Sequence, residues 1–137
     1  MLQKRIDLGS IPFGLYKTKD EMVKGRLVKF NQKDELLEYA TKDDEANAFI
    51  TLRIETNAGG DIADHDKIAK GVRAVAYTLV KDNIWSTTEV DGIDALKVGD
   101  TLTCGAEGKL AKGEGKFVVT DVTHFGSFPA VDVMYLG

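Results

Sequence analysis

The sequence predicts a mostly β protein, a compact antiparallel β barrel or sandwich with an extended N-terminal arm and little helix. Three observations support this fold class. Several segments alternate polar and apolar side chains, the period-two pattern of strands buried on one face. Fourteen glycines against two prolines can supply many tight turns between strands. β-branched and aromatic residues fill the segments between those turns. We assign residues 1–18 to the arm and residues 19–137 to a single β domain.

Composition narrows the classes of partner. The chain has 137 residues, which suits one domain. Its net charge of −4 and its pI near 5.2 argue against nucleic acid and anionic membranes as partners. A single cysteine permits no intrachain disulfide. No apolar run approaches the roughly 20 residues that span a bilayer, and Met1–Asp7 lacks the apolar core of a signal peptide. We therefore expect a soluble protein made in a reducing cytoplasm.

The first 18 residues combine apolar side chains with residues that interrupt a helix. Pro12 and Gly14 lie too close together for a helix interior, so an extended arm is predicted. Two interpretations stay open: a first strand within the protein's own sheet, or an arm lying on a neighbouring subunit. In the second interpretation, the candidate contact residues are Ile6, Leu8, Ile11, Phe13 and Tyr16.

The segment from residue 19 to residue 56 contains two strands and one ambiguous stretch. Val23–Phe30 is predicted to be a strand with a possible bulge between Gly25 and Leu27. Residues 35–40 fit either a short strand or a helical turn. Residues 48–56 alternate regularly and give the clearest strand of the first half.

Two acidic clusters could suggest a metal site. Asp43–Glu45 is interpreted as a solvated loop, because calcium loops need spaced oxygen ligands and a central glycine. Asp64–Asp66, which includes His65, lacks a second cluster to complete a coordination shell. We therefore predict no metal and no cofactor, and the role of Asp64, His65 and Asp66 stays open.

The second half of the chain is predicted to be almost entirely β. Residues 71–80 and Ile84–Val90 have strand composition. Trp85, in the second of these, is predicted to lie in the core, with an exposed interface anchor as the alternative. Residues 131–136 carry apolar side chains on both faces, which indicates that the C-terminal segment belongs to the sheet.

The stretch from Leu96 to Phe125 is predicted to organise the β scaffold. Leu102 and Cys104 fall on one face of a strand at Thr101–Cys104. Ala106–Gly108 supplies a turn, and Phe117–Phe125 is a long strand.

The same stretch bears on whether the protein is an enzyme. Cys104 is the one available thiol nucleophile, and His65 or His124 could activate it. Because Cys104 lies on the same strand face as Leu102, it is instead predicted to be a small buried apolar side chain. We predict no catalytic residue and no enzyme, with a small β-barrel enzyme or ligand-binding domain around Cys104 and His124 as the alternative.

Several short patterns resemble tailed-bacteriophage capsid decoration, or cement, proteins. Val23–Phe30 is similar to their early Gly-x-Leu-Val strand, and Gly71–Ala74 to a Gly-Val strand. Lys97–Leu102, Glu107–Leu110 and Phe117–Val119 are similar to their Gly-Asp strand, Gly-Lys-Leu turn and closing strand.

The resemblance implies a virion structural protein on the capsid surface, made in the host cytoplasm. It implies binding to the major capsid protein at junctions between subunits, often as a trimer or dimer, with stabilisation of the head by bridging. The arm and residues 31–70 exceed the minimal pattern. This departure leaves open a head-fibre base, a tail subunit or another virion component.

Overall fold

The computed structural model describes residues 1–51 and 66–137 of the chain. These residues form short and medium strands with three brief 3-10 turns, at Asp43–Glu45, Ile93–Ala95 and Ala106–Gly108. The strands are β1 (Leu2–Ile6), β2 (Pro12–Phe13), β3 (Lys17–Thr18), β4 (Met22–Val23), β5 (Leu27–Asn31), β6 (Leu36–Tyr39), β7 (Ala48–Thr51), β8 (Lys67–Ile68), β9 (Val75–Thr78), β10 (Ile84–Thr87), β11 (Thr101–Cys104), β12 (Leu110–Lys112), β13 (Phe117–Phe125) and β14 (Phe128–Tyr135).

Two six-stranded sheets form a sandwich. Sheet I has the order β1-β10-β14-β13-β11-β12, and sheet II has the order β2-β9-β7-β5-β6-β3. A two-stranded ribbon joins β4 to β8. The named pairings are antiparallel except for β3 with β6. The predicted fold class is confirmed, and the strand pairings of the described residues give a sandwich, not a closed barrel.

Aromatic side chains fill the core between the two sheets. Trp85 from β10 and Phe117 from β13 approach Phe49 from β7, with ring centroids 5.9 and 6.1 Å away. Leu102 and Cys104 lie in the same core, which confirms that they share a face of β11. The core placement predicted for Trp85 is also confirmed. The long strand predicted at Phe117–Phe125 is β13, with the same ends.

Sheet II curls strongly, because its two edge strands are close together along the chain. Four residue steps separate Phe13 in β2 from Lys17 in β3, a reach of at most about 14 Å. Six strands in a flat sheet would place its edges about 24 Å apart. The backbone of Thr18 instead bonds to Val72, just before β9, with a nitrogen–oxygen distance of 2.9 Å.

The curl encloses a second core. Met22, Val28, Leu37, Ile50 and Ala76 are fully buried there. Sheet II is therefore buried on both faces, with one face against sheet I and the other inside its own curl. This explains why β7 begins with three consecutive buried apolar residues, where a strand with one solvated face would alternate.

The structure corrects one predicted strand in the first half. Val23–Phe30 is not continuous: β4 ends before Gly25 and β5 begins after it. Gly25 has a φ of +93°, and a Cβ there would lie 2.6 Å from the carbonyl oxygen of Met1. A glycine is required because only glycine combines that conformation with that close approach. The ambiguous stretch at residues 35–40 is the strand β6.

Asp43 ties the two sheets together at one end of the sandwich. Its carboxylate accepts hydrogen bonds from the backbone N–H of Cys104 at 2.7 Å, the backbone N–H of Lys116 at 3.1 Å and the hydroxyl of Thr103 at 3.1 Å. A Cβ on Gly115 would lie 2.6 Å from this carboxylate. The solvated loop predicted for Asp43–Glu45 is therefore wrong for Asp43, which is half-buried and bonded to sheet I.

We predict that Asp43→Ala lowers the free energy of unfolding by about 2–4 kcal/mol, because it removes the acceptor of three hydrogen bonds. Chemical denaturation measures this. Asp44→Ala is the matched control, since the Asp44 side chain is 84% exposed and its loss should change stability by no more than about 0.5 kcal/mol. Equal effects of the two substitutions would contradict the role given to Asp43.

Candidate interaction surface

The N-terminal arm forms an edge strand in each sheet. β1 pairs with β10 at the edge of sheet I, and β2 pairs with β9 at the edge of sheet II. The interpretation of the arm as a strand of the protein's own sheets therefore holds for β1 and β2. Contact of the arm with a neighbouring subunit stays a prediction, as does its assignment as a segment separate from the β domain.

A network of polar side chains holds the crossing between the two sheet edges. The Asp7 carboxylate accepts hydrogen bonds from the backbone N–H groups of Gly9 and Ser10, at 3.0 and 2.8 Å, and from the amide of Asn83 at 3.1 Å. Asn83 is fully buried, and its side-chain oxygen accepts a bond from the N–H of Leu8 at 2.6 Å. These bonds fix the path of the crossing.

Beyond this network, the crossing joins sheet II through backbone and hydroxyl bonds. The N–H of Ile11 donates to the hydroxyl of Thr78 at 2.9 Å, and the N–H of Thr78 donates to the carbonyl of Ile11 at 3.2 Å. On the sheet I side, the ammonium of Lys4 lies 4.0 Å from the centroid of the Tyr77 ring and 3.1 Å from the Asp7 carboxylate. Lys4 thereby covers the open side of the core between the sheets.

The candidate contact residues of the arm fall into two groups. Ile6, Leu8 and Ile11 project outward, with exposed fractions of 47%, 60% and 66%. Phe13 and Tyr16 are half-buried and pack on Phe30 of β5, with ring centroids 4.5 and 6.3 Å from that ring.

The structure therefore brings Phe13 and Tyr16 together as a cover over the second core and leaves the other three candidates outside. It also adds Leu15, which is 71% exposed. Leu15 is not among the predicted contacts, because apolar composition alone does not separate projecting side chains from packed ones.

The Asp7 network makes a pH-dependent prediction. The hydrogen bond from the backbone of Ser10, together with Lys4 and Gly9, holds the pKa of Asp7 below its ordinary value. A carboxyl with a lowered folded-state pKa stabilises the fold above its unfolded pKa, near 3.9, and loses that contribution as pH falls towards the folded value.

We predict that Asp7→Asn lowers the thermal unfolding temperature at pH 7 and that the gap from the wild type narrows as pH falls below about 4. Thermal unfolding followed by circular dichroism across pH 2–7 measures this. Asp20→Asn, at an exposed position, should track the wild type throughout. A gap for Asp7→Asn that is constant from pH 7 to pH 2 would refute the charged role of Asp7.

The structure places the two residues of the catalytic alternative apart. Cys104 is buried in the core between the sheets. β11 pairs with β13 through Leu102 and Phe117, so Cys104 extends beyond Phe117 in the direction opposite to His124. His124 lies seven residues along β13 from Phe117, about 23 Å at the rise of a strand. The pair cannot act as a nucleophile and its base in this conformation.

The environment of the Cys104 thiol also disfavours the thiolate. Burial, reinforced by the nearby Asp43 and Glu45 carboxylates, raises the pKa of this thiol to about 12. We predict that iodoacetamide leaves the native protein unmodified at pH 8 and alkylates it in denaturant, where the pKa returns to its ordinary range. Mass spectrometry measures the adduct, and rapid alkylation of the folded protein would contradict the prediction.

In residues 1–51 and 66–137, no group of three or more His, Cys, Asp or Glu side chains is placed to hold a metal ion. Within those same ranges, no helix is long and apolar enough to cross a membrane. Asp64 and His65 lie outside the described residues, and the carboxylate of Asp66 lies 3.3 Å from the amino group of Met1.

Comparison with known proteins finds a likeness of fold. No protein-family model matches the chain, and no curated protein matches it in sequence. Among solved structures, the chain is similar to the head fibre gp8.5 N base of bacteriophage phi29, with a TM-score of 0.53 and 15% sequence identity. The similarity covers 94% of this chain and 99% of that chain. At this level of identity the comparison establishes a shared fold.

Proposed function

We propose that this chain is a structural protein of a tailed-bacteriophage virion that attaches to the outer surface of the head, as the base of a head fibre. The observation that carries the proposal is the fold likeness to a phage head fibre base, which extends over nearly the whole of both chains. The resemblance of Val23–Phe30 and Lys97–Leu102 to phage decoration proteins supports the same location independently.

The arm provides a surface suited to attachment. Ile6, Leu8 and Ile11 are exposed apolar side chains on a backbone that Asp7 and Asn83 hold in place. Because the backbone is already ordered, little conformational entropy is lost when a partner covers these side chains. We propose the major capsid protein as that partner and these three residues as contacts.

A second candidate function is decoration of the head as a cement protein, which the motif resemblance favours. Both functions place the protein on the capsid surface, but a cement protein also stabilises the shell by bridging neighbouring capsid subunits. We further propose that the protein acts as a homo-oligomer, a trimer or dimer, as proteins bound at symmetric junctions commonly do.

The test is co-sedimentation of the purified protein with expanded heads assembled without it. The wild type is expected to bind, and Ile11→Asp is expected to weaken binding at least about tenfold, because the interface would bury a charge. Val122→Asp is the control, since Val122 is an exposed apolar residue on the β13–β14 hairpin, away from the arm. Failure of the wild type to bind heads would overturn the proposal.

The same preparation separates the competing functions. A cement protein raises the temperature at which heads release their contents, whereas an attachment base leaves it unchanged. A protein that sediments with tails and not with heads would be a tail subunit. The mass of the purified protein in solution tests the proposed trimer or dimer.

A further inference from the structure

We propose that the attachment surface extends from the arm across the outward face of sheet I, along a band of apolar side chains. The band consists of Ile6, Ile84, Met134 and Val118. This inference rests on the proposed function, and it identifies which face of the sandwich lies against the head shell.

Strand register places the four side chains next to one another. Ile6 pairs with Ile84, Ile84 pairs with Met134, and Met134 pairs with Val118. Directly paired residues of antiparallel strands project from the same face, with Cβ atoms about 4.5–5.5 Å apart. The band therefore crosses four adjacent strands of sheet I in one row.

The row faces away from the interior. Its members alternate along their strands with Trp85, Val133 and Phe117, which lie in the core between the sheets. None of the four belongs to either core formed by the described residues. Ile6 is exposed and the other three are half-buried, so each retains accessible apolar surface.

The band is continuous with the contact residues of the arm. Ile6 belongs to both, and it lies two residues before Leu8, which is also exposed. Leu136, two residues after Met134 and just beyond the end of β14, adds an exposed apolar side chain. A stable interface buries about 800 Å² per partner, which is more than three arm side chains can supply. The band adds accessible apolar surface directly beside the arm.

Two charged groups beside the band, Arg5 and Asp132, are already paired within the chain. Asp132 accepts a hydrogen bond from the buried hydroxyl of Ser86, and the guanidinium of Arg5 lies 3.5 Å from Asp132 and donates to Ser86 at 3.2 Å. A partner that covers the band therefore leaves these charges compensated.

These features define the partner surface. A row of side chains on the face of a sheet is a shallow surface, so it fits a flat apolar patch and not a projecting side chain or a helix that needs a groove. We assign the patch to the shell protein of the head, since the band continues the contact surface that the proposed function gives to the arm.

The experiment compares two valines of one strand that project on opposite faces. Val118 belongs to the band, whereas Val122 pairs with the core residue Val131 beyond a register shift near residue 120. We expect Val118→Lys to weaken co-sedimentation with expanded heads at least about tenfold and Val122→Lys to leave it unchanged. Met134→Gln, which adds no charge and keeps the side-chain length, should weaken binding several-fold and guards against misfolding of Val118→Lys.

The possible outcomes separate a failure of the band from a failure of the proposed function. If the wild type binds and folded Val118→Lys and Met134→Gln bind equally well, the band is refuted while the proposed function stands. If the wild type fails to bind heads, the proposed function falls and the inference falls with it. If Val118→Lys lowers the mass of the free oligomer and leaves head binding intact, the band is an interface between copies, which also overturns the inference.

Discussion

The constraint that shapes this molecule is the burial of sheet II on both faces. Phe49 turns towards sheet I while Ala48 and Ile50 turn into the curl of their own sheet. Two apolar faces need two covers, and sheet I supplies only one. The second cover comes from the curl of sheet II together with Met22 and Ile68 of the β4–β8 ribbon. Phe13 and Tyr16 close it by packing on Phe30. Residues near the start of the chain therefore cover the face of sheet II that lies away from sheet I.

This role explains the composition of the arm. One segment must pair with the edge of sheet I, cross to sheet II and cover the second core, all within 18 residues. The crossing leaves backbone groups without strand partners, and buried backbone groups need hydrogen bonds. Asp7 and Asn83 satisfy several of them. Ile6, Leu8 and Ile11 belong to neither core. Their side chains therefore project outward from the crossing.

Local patterns predict the fold class and several of the strands, but they do not predict the long-range contacts. Alternation identified the shared face of Leu102 and Cys104, because the two residues are close in sequence. It could not identify the role of Asp43, whose hydrogen-bond partners lie 60 or more residues away. At Gly25 the local sequence predicts no more than a possible bulge, because the approach of Met1 that accompanies the break is a long-range contact. The apolar candidates on the arm were found from composition, but their division into packed and projecting groups depends on Phe30 and Asn83.

The exposed edges favour association through side chains and not through added strands. β1 carries Lys4 and Arg5, and charged residues on an edge strand oppose pairing with another chain. At the tip of the β13–β14 hairpin, Pro129 lacks an N–H to donate, and the N–H of Val122 donates to the carboxylate of Asp121 at 2.9 Å. The β1 edge and the β13–β14 hairpin are thus poor templates for strand addition. The partner contacts proposed above accordingly use apolar side chains on the arm and on the outward face of sheet I.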